Sequence, residues 1–104
     1  MLEFSKIEGF DWDDGNARKS EDRHAVAQGE IEQVFFNSPL VVTPDSKHSQ
    51  SESRFHALGR TDGGRLLHVK FTLRFGETKI RPISARDMHR KERRIYEDNT
   101  QKDS

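Results

Sequence analysis

The sequence contains no cysteine, three prolines, one tryptophan and no long run of apolar residues. Without cysteine the chain has no disulfide, no thiol nucleophile and no thiolate metal ligand. Its first residues include early acidic side chains, so we expect neither a signal peptide nor a transmembrane segment, and we expect a cytoplasmic protein. Hydrophobic residues make up 31% of the 104 and charged residues 35%, which predicts one small domain with a modest core.

Charge is balanced over the whole chain but not within it. Residues 1–53 hold 5 basic and 11 acidic side chains, whereas residues 54–104 hold 13 basic and 7 acidic side chains. This split favours either a basic surface that binds a polyanion or two halves that neutralise each other in the fold. The charge counts alone leave both interpretations open.

The residue patterns predict an α+β domain in which helices pack against an antiparallel sheet of about four strands. Residues 14–24 and the segment EIEQVFF predict two N-terminal helices, and the residues that follow Asp87 predict one C-terminal helix. The predicted strands lie in PLVVTP, SRFHALGR, RLLHVKFTLRF and TKIRPISA, and IEGFDW is a further short candidate. We expect residues 1–98 to form one domain and residues 99–104 to form a disordered tail.

Two local features refine this prediction. Pro82 cannot donate a ladder hydrogen bond, so it indicates an edge position or a bulge in the last strand. The C-terminal helix has a thin apolar stripe, and we expect Ile95 and Tyr96 to pack that helix against the sheet.

The alternation in RLLHVKFTLRF predicts a sheet with one packed face and one polar face. Arginine binds phosphate through a planar, bidentate fork, so a polar face rich in cations is a candidate RNA-binding surface. The commoner alternative is a solvated face without a ligand. The residues predicted to share the polar parity, and to bind RNA, are Arg54, His56, His68 and Lys70, with Arg60 on the same parity.

The five histidines are the candidate groups for proton transfer near neutral pH. No two of them have the spacing of a helical metal site, so we predict no metal and no cofactor. Cleavage of RNA without a metal needs a base, an acid and cations, because the 2′-hydroxyl is an internal nucleophile. DNA lacks that hydroxyl, so such chemistry is confined to RNA.

Five segments, in order, resemble the BrnT family of bacterial toxins from type II toxin–antitoxin pairs. They are FDWDD, HAVAQGEIEQVFF, ESRFHALGR, GGRLLHVKFT and RPISARDMHRKERRIYE, between about Phe10 and Tyr96. The resemblance implies a RelE-like microbial ribonuclease fold and an endoribonuclease that inhibits growth by cutting RNA. It also implies a BrnA-type antitoxin as partner, contact with operator DNA only through that antitoxin, and no membrane association.

The resemblance also implies site residues. Arg23 and His24 stand where the family has a Lys-His pair, Arg60 stands at its Gly-Arg, and Arg81 and Arg86 flank the ISAR motif. We predict that His24 transfers protons and that Arg60, Arg81 and Arg86 bind phosphate, with Arg23 in either group. The cations predicted to bind the antitoxin or to remain solvated are Arg90, Arg93 and Arg94.

The sequence departs from the family pattern near its N-terminus. Arg23 replaces the usual lysine, Ala25 a glycine and Ala27 a helix-capping serine. Arginine is a poorer proton donor than lysine because it stays charged. The alternative function is therefore a catalytically weak or inactive module that binds RNA or antitoxin in an operon-repressing complex. A third interpretation is a structural interaction domain without RNA affinity.

Overall fold

The structure, a computed structural model, describes residues 3–48 and 52–102, with the backbone alone for 100–102. Its centre is a five-stranded sheet in the order β1-β5-β4-β3-β2. The strands are β1 (Gly9–Phe10), β2 (Val41–Pro44), β3 (Arg54–Arg60), β4 (Leu66–Arg74) and β5 (Lys79–Asp87). The helices are α1 (Lys19–His24), α2 (Gln28–Phe36) and α3 (Arg90–Lys102), with short 3₁₀ helices at Phe4–Lys6 and Ser46–His48.

The predicted α+β architecture is confirmed, with one strand more than expected. Strands β2 to β5 form the predicted antiparallel meander, and β1 adds a two-residue parallel pairing to β5. The first helix is shorter than predicted, because residues 14–18 form turns. Within the described ranges, every helix is too short or too polar to span a lipid bilayer.

Helix α2 packs on one face of the sheet. Ile31 and Val34, three residues apart on one side of the helix, are fully buried against β3 and β4. Gly59 permits this close approach, because a Cβ there would lie 2.6 Å from Cγ1 of Val34. The sheet residues of this core are Ala57, Leu67, Val69, Phe71, Ile80 and Ala85.

Helix α3 covers one end of the opposite face, which the sequence predicted to be solvent-facing. Met88 and Tyr96 are buried there against Leu58 and Leu66. The hydroxyl of Tyr96 donates a hydrogen bond of 2.8 Å to the carbonyl of Pro39. Packing by Tyr96 is thus confirmed. The expectation for Ile95 was wrong, since 44% of that residue is exposed.

A β-bulge lies beside Pro82, as predicted. The register between β4 and β5 passes from Lys70 opposite Ser84 to Phe71 opposite Pro82, which leaves Ile83 without a partner residue. The extra residue reverses the alternation of side chains along β5. As a result, the residues after it present Ser84 to the polar face beside Lys70.

Helix α1 lies along the part of β5 that β1 does not cover. Pairing with β1 ends at Ile80, and farther along the buried hydroxyl of Ser20 accepts the Ala85 N–H at 2.7 Å. This contact satisfies a backbone donor that a neighbouring strand would otherwise bind. Helix α3 continues to Lys102, and residues 103 and 104 lie outside the described residues. The division into a 1–98 domain and a 99–104 tail stays a prediction.

Candidate active site

A cavity of about 260 Å³ lies between α1 and the adjoining parts of β4 and β5 on the polar face. It combines two histidines with several cations. Its lining residues are Lys19, Ser20, Arg23, His24, His68, Lys70, Ser84, Ala85 and Arg86. The structure therefore brings together two groups that the sequence treated separately, the Arg23–His24 pair and the predicted RNA-binding residues of β4.

The α1 wall of the cavity is held by Arg65. Its guanidinium donates hydrogen bonds to the carbonyls of His24 (3.2 Å) and Ala25 (2.9 Å), just where α1 ends. The same group binds Asp87 at 2.7 Å and Glu30 at 3.2 Å, and these carboxylates raise the pKa of Arg65. Sequence reasoning missed Arg65, because its position after a turn reveals neither of these partners.

The sheet wall is formed by His68 and Lys70 on β4. His68 is buried, and burial is the main cause that lowers its pKa to about 4, with further lowering from the charges of Arg86 and Lys70. Glu92 opposes this shift in the pKa without reversing it. At neutral pH His68 is thus an uncharged imidazole, which can accept a proton.

Arg86 lines the cavity, but its guanidinium is already bound to a carboxylate. Its two terminal nitrogens bind the carboxylate oxygens of Glu92 at 2.7 and 3.0 Å. Burial alone would raise the pKa of Glu92, yet hydrogen bonds from Arg86 and from the His89 N–H hold that pKa at about 2. This pair fastens the start of α3 to β5 and neutralises much of the charge of Arg86.

Three other cations of the cavity have no carboxylate partner among the described residues. They are Lys19 and Arg23 on α1 and Lys70 on β4. Unpaired cations on two walls of a concave surface attract an anion, and a phosphate that bridges the walls would contact both.

The structure places Arg60 and Arg81 outside the lining of this cavity. Arg81 lies on the polar face, but its guanidinium binds Asp13 at 2.9 Å and Asp11 at 3.2 Å, and both contacts raise its pKa. Arg60 lies at the end of β3 opposite Leu66, next to the apolar cluster that α3 covers. Neither arginine lines the cavity that contains His24.

The remaining predicted residues occupy two further places. His56 is a neighbour of His68, with Nδ1 of His56 2.9 Å from Nε2 of His68. Arg54 is adjacent to Thr72 on the same face, and one of its terminal nitrogens lies 3.6 Å from Glu52. The residues predicted to bind a partner line one open depression of about 450 Å³ on α3, together with Met88 and Glu97; they are Arg90, Arg93 and Arg94.

Metal ligands were not predicted from the sequence. Among residues 3–48 and 52–102, no group of three or more histidine or acidic side chains is arranged to hold a metal ion. Metal independence itself stays a prediction.

Comparison with known proteins identifies a family and a related solved structure. A family model described as the ribonuclease toxin, BrnT, of type II toxin–antitoxin systems matches residues 12–92. The crystal structure of the Brucella abortus ribonuclease toxin BrnT is similar, with a TM-score of 0.59 at 19% identity. The match covers 81% of this chain and 100% of that one, and it confirms the predicted fold. No curated protein sequence matches the chain.

Proposed function

Since this chain belongs to the BrnT family of ribonuclease toxins of type II toxin–antitoxin systems, we propose that it cleaves RNA in the cavity between α1 and β4. Cleavage proceeds without a metal and inhibits growth. One observation carries the proposal: two histidines and three unpaired cations line the same small cavity. That set meets the requirements of cleavage by the substrate's own 2′-hydroxyl.

The reaction needs proton transfer at two oxygens. The 2′-oxygen must lose a proton as it attacks phosphorus, and the 5′-oxygen must gain one as it leaves. His24 and His68 lie on the α1 and β4 walls respectively, so a phosphate between them meets one imidazole on each side. His24 takes the role of proton donor, because His68 is held uncharged by burial.

Cations stabilise the phosphorane that forms between these steps. Arg23 and Lys70 come from opposite walls and have no described carboxylate partner, so they are available to the non-bridging oxygens. Arg86 contributes mainly by fixing Glu92. The predicted phosphate roles of Arg60 and Arg81 remain hypotheses that this cavity does not require.

A BrnA-type antitoxin is the expected partner. The depression formed by Arg90, Arg93 and Arg94 on α3 is open and basic, which favours an acidic segment of that partner. Operator DNA is contacted only through the antitoxin, and the complex is cytoplasmic.

A second candidate function is binding without catalysis. Two residues favour it. Arg23 occupies the position where the family has a lysine, and an arginine does not release its proton. The guanidinium of Arg86 is already bound to Glu92. This module would hold RNA or antitoxin in the same cavity and leave the phosphodiester intact.

The two functions are separated by incubating the purified chain with a defined RNA. We expect cleavage by the parent, and a loss of at least about 100-fold in His24→Ala, which removes the proton donor. His89→Ala is the matched control, because His89 is an exposed histidine outside the cavity, and it should cleave like the parent. Binding without cleavage by the parent would establish the binding module instead.

A further inference from the structure

Four titratable side chains form a continuous path across the polar face. His48 Nδ1 lies 2.9 Å from Asp45 Oδ2, and that oxygen lies 3.5 Å from Nε2 of His56. Nδ1 of His56 then lies 2.9 Å from Nε2 of His68, which lines the cavity. Asp45 was not a candidate from the sequence, since it lies in a polar loop after β2, and His48 was named only as one of the five histidines.

The loop is held firmly enough to position the carboxylate. Asp45 is only 6% exposed, and its N–H donates a hydrogen bond of 2.8 Å to the carbonyl of Arg54. The His48 N–H reaches back to the Asp45 carbonyl at 3.3 Å. Burial alone would raise the pKa of Asp45, but the hydrogen bond from His48 and the charges of His56 and Lys70 hold that pKa below its ordinary value.

The ionised carboxylate of Asp45 determines which nitrogen donates and which accepts in each hydrogen bond along the path. A carboxylate accepts hydrogen bonds and repels a lone pair, so the proton of neutral His56 is favoured on Nε2, which faces Asp45. Nδ1 of His56 is then an acceptor, and Nε2 of His68 must donate to it. This leaves the lone pair of neutral His68 on Nδ1, for which no described residue offers a hydrogen bond.

We propose that His68 is the general base of RNA cleavage, and that Asp45 and His56 are positioning residues that fix its tautomer and receive the positive charge. This inference rests on the proposed function and extends it to a base and its supports. His68 is the catalytic residue of the three because it lines the cavity where the RNA would lie.

The proton steps balance. The 2′-oxygen gives its proton to Nδ1 of His68 as it bonds to phosphorus, and His68 passes its Nε2 proton to Nδ1 of His56. His56 becomes an imidazolium beside the Asp45 carboxylate, while His68 is again neutral. The bond from phosphorus to the 5′-oxygen breaks, and that oxygen takes a proton from protonated His24. Afterwards His56 returns its Nδ1 proton to Nε2 of His68, while solvent takes the proton from Nδ1 of His68 and reprotonates His24, which restores the starting tautomers.

The charges around His68 explain why the positive charge moves onward. Arg86 on β5 and Lys70 on β4 disfavour a second cation at this buried position, and the carboxylate of Glu92 on α3 is already bound by Arg86. The cations on α1, Lys19 and Arg23, line the same cavity and also disfavour a positive charge on His68. His56 lies opposite Lys70 in the register of β3 and β4, but the carboxylate of Asp45 lies 3.5 Å from its Nε2 and opposes the charge of that lysine. The site thus separates the atom that accepts the proton from the ring that carries the charge.

The direct test is nitrogen-15 NMR of the intact chain at neutral pH, which reports the protonated nitrogen of each histidine ring. We expect protons on Nε2 of both His56 and His68. In Asp45→Asn the loss of the carboxylate should mix the two tautomers of both rings. Asp14→Asn is the control, because it removes one exposed carboxylate from the turns that follow β1, the edge strand opposite β2, and it should leave the tautomers unchanged. A proton on Nδ1 of His68 in the parent chain would overturn the inference.

Cleavage assays give the second readout. We expect Asp45→Asn to cleave about 10- to 100-fold more slowly, with unchanged affinity for an RNA analogue that lacks the reactive 2′-hydroxyl. His68→Gln retains a donor to His56 but no base, and it should lose at least about 100-fold. Full activity in His68→Gln, beside an inactive His24→Ala, would refute the role of His68 as base, and full activity in Asp45→Asn would refute the positioning role of Asp45; the proposed function stands in both cases. An inactive parent chain would refute both this inference and the proposed function.

Discussion

At the scale of single residues, the partner of each charge matters more than the number of charges. Arg81 and Arg23 are both arginines of the predicted site, yet Arg81 binds two carboxylates and Arg23 has none among the described residues. A guanidinium that is already neutralised offers little to a phosphate. The candidate site is therefore defined by the cations that the fold leaves unpaired.

Glu92 gives a pH-dependent prediction at this scale. Its pKa of about 2 in the folded chain is below the ordinary 4.5, so ionised Glu92 stabilises the fold above pH 4.5, and this stabilisation is lost as the pH falls toward 2. Glu92→Gln should lower the free energy of unfolding by about 2 kcal/mol at pH 7 and flatten its pH dependence between pH 4.5 and 2.

Denaturant unfolding across this pH range measures the effect. Glu97→Gln is the control, since Glu97 lies exposed on the same helix and has no described partner. Equal pH dependence in the parent and Glu92→Gln would show that the Arg86–Glu92 pair does not support the fold.

At the scale of elements, the position of α2 depends on one glycine. A methyl group at Gly59 would lie 2.6 Å from Cγ1 and 3.3 Å from the carbonyl of Val34, so the helix would have to move away from β3. Gly59→Ala should lower the free energy of unfolding by about 1–3 kcal/mol. Gly29→Ala within α2 meets nothing within 4 Å and should not destabilise the chain. Equal stabilities of the two variants would contradict this packing.

A side-chain hydrogen bond from the backbone of β5 to Ser20 joins helix α1 to the sheet edge. Ser20→Ala leaves the buried N–H of Ala85 without its acceptor, which should lower the free energy of unfolding by about 1–3 kcal/mol. Hydrogen exchange at the Ala85 amide measures this directly, and we expect faster exchange in the variant. Ser5→Ala, at an exposed position, is the control. Unchanged exchange at Ala85 would mean that another group protects the amide.

The helices and strands could be predicted from the sequence wherever the spacing of apolar and polar side chains was regular. The alternation from Leu67 to Phe71 defined β4, and Pro82 indicated the bulge. The site could be predicted only in part. His24 and His68 were named separately, because no local pattern shows that α1 lies along the free edge of β5. The contact of Asp45 with His56 depends on how the loop after β2 lies against β3, which a single sequence does not contain.

At the scale of the whole molecule, the neutral net charge conceals a basic cavity. Helix α3 covers one end of the polar face, and the uncovered part presents unpaired cations to solvent. The charge asymmetry along the chain thus has two outcomes: some cations pair with acidic residues of the first half, as Arg81 does with Asp11, and others remain available.

The salt dependence of RNA binding tests this distribution. We assume that Lys19, Arg23 and Lys70 neutralise about three phosphates of a single strand. A plot of the logarithm of the binding constant against the logarithm of the salt concentration should then have a slope of about −2. Lys70→Ala should reduce the slope by about 0.7, whereas Lys6→Ala, outside the cavity, should leave it unchanged. These slopes are measured with an RNA that lacks the reactive 2′-hydroxyl. A salt-independent affinity would contradict a phosphate-binding cavity.

The most direct measurement of the central claim is the chemistry of the cut ends, determined by mass spectrometry after cleavage in excess chelator. Attack by the 2′-hydroxyl, with proton transfer by histidines alone, predicts a 2′,3′-cyclic phosphate on one fragment and a 5′-hydroxyl on the other. A 3′-hydroxyl with a 5′-phosphate, or loss of activity in chelator, would contradict it.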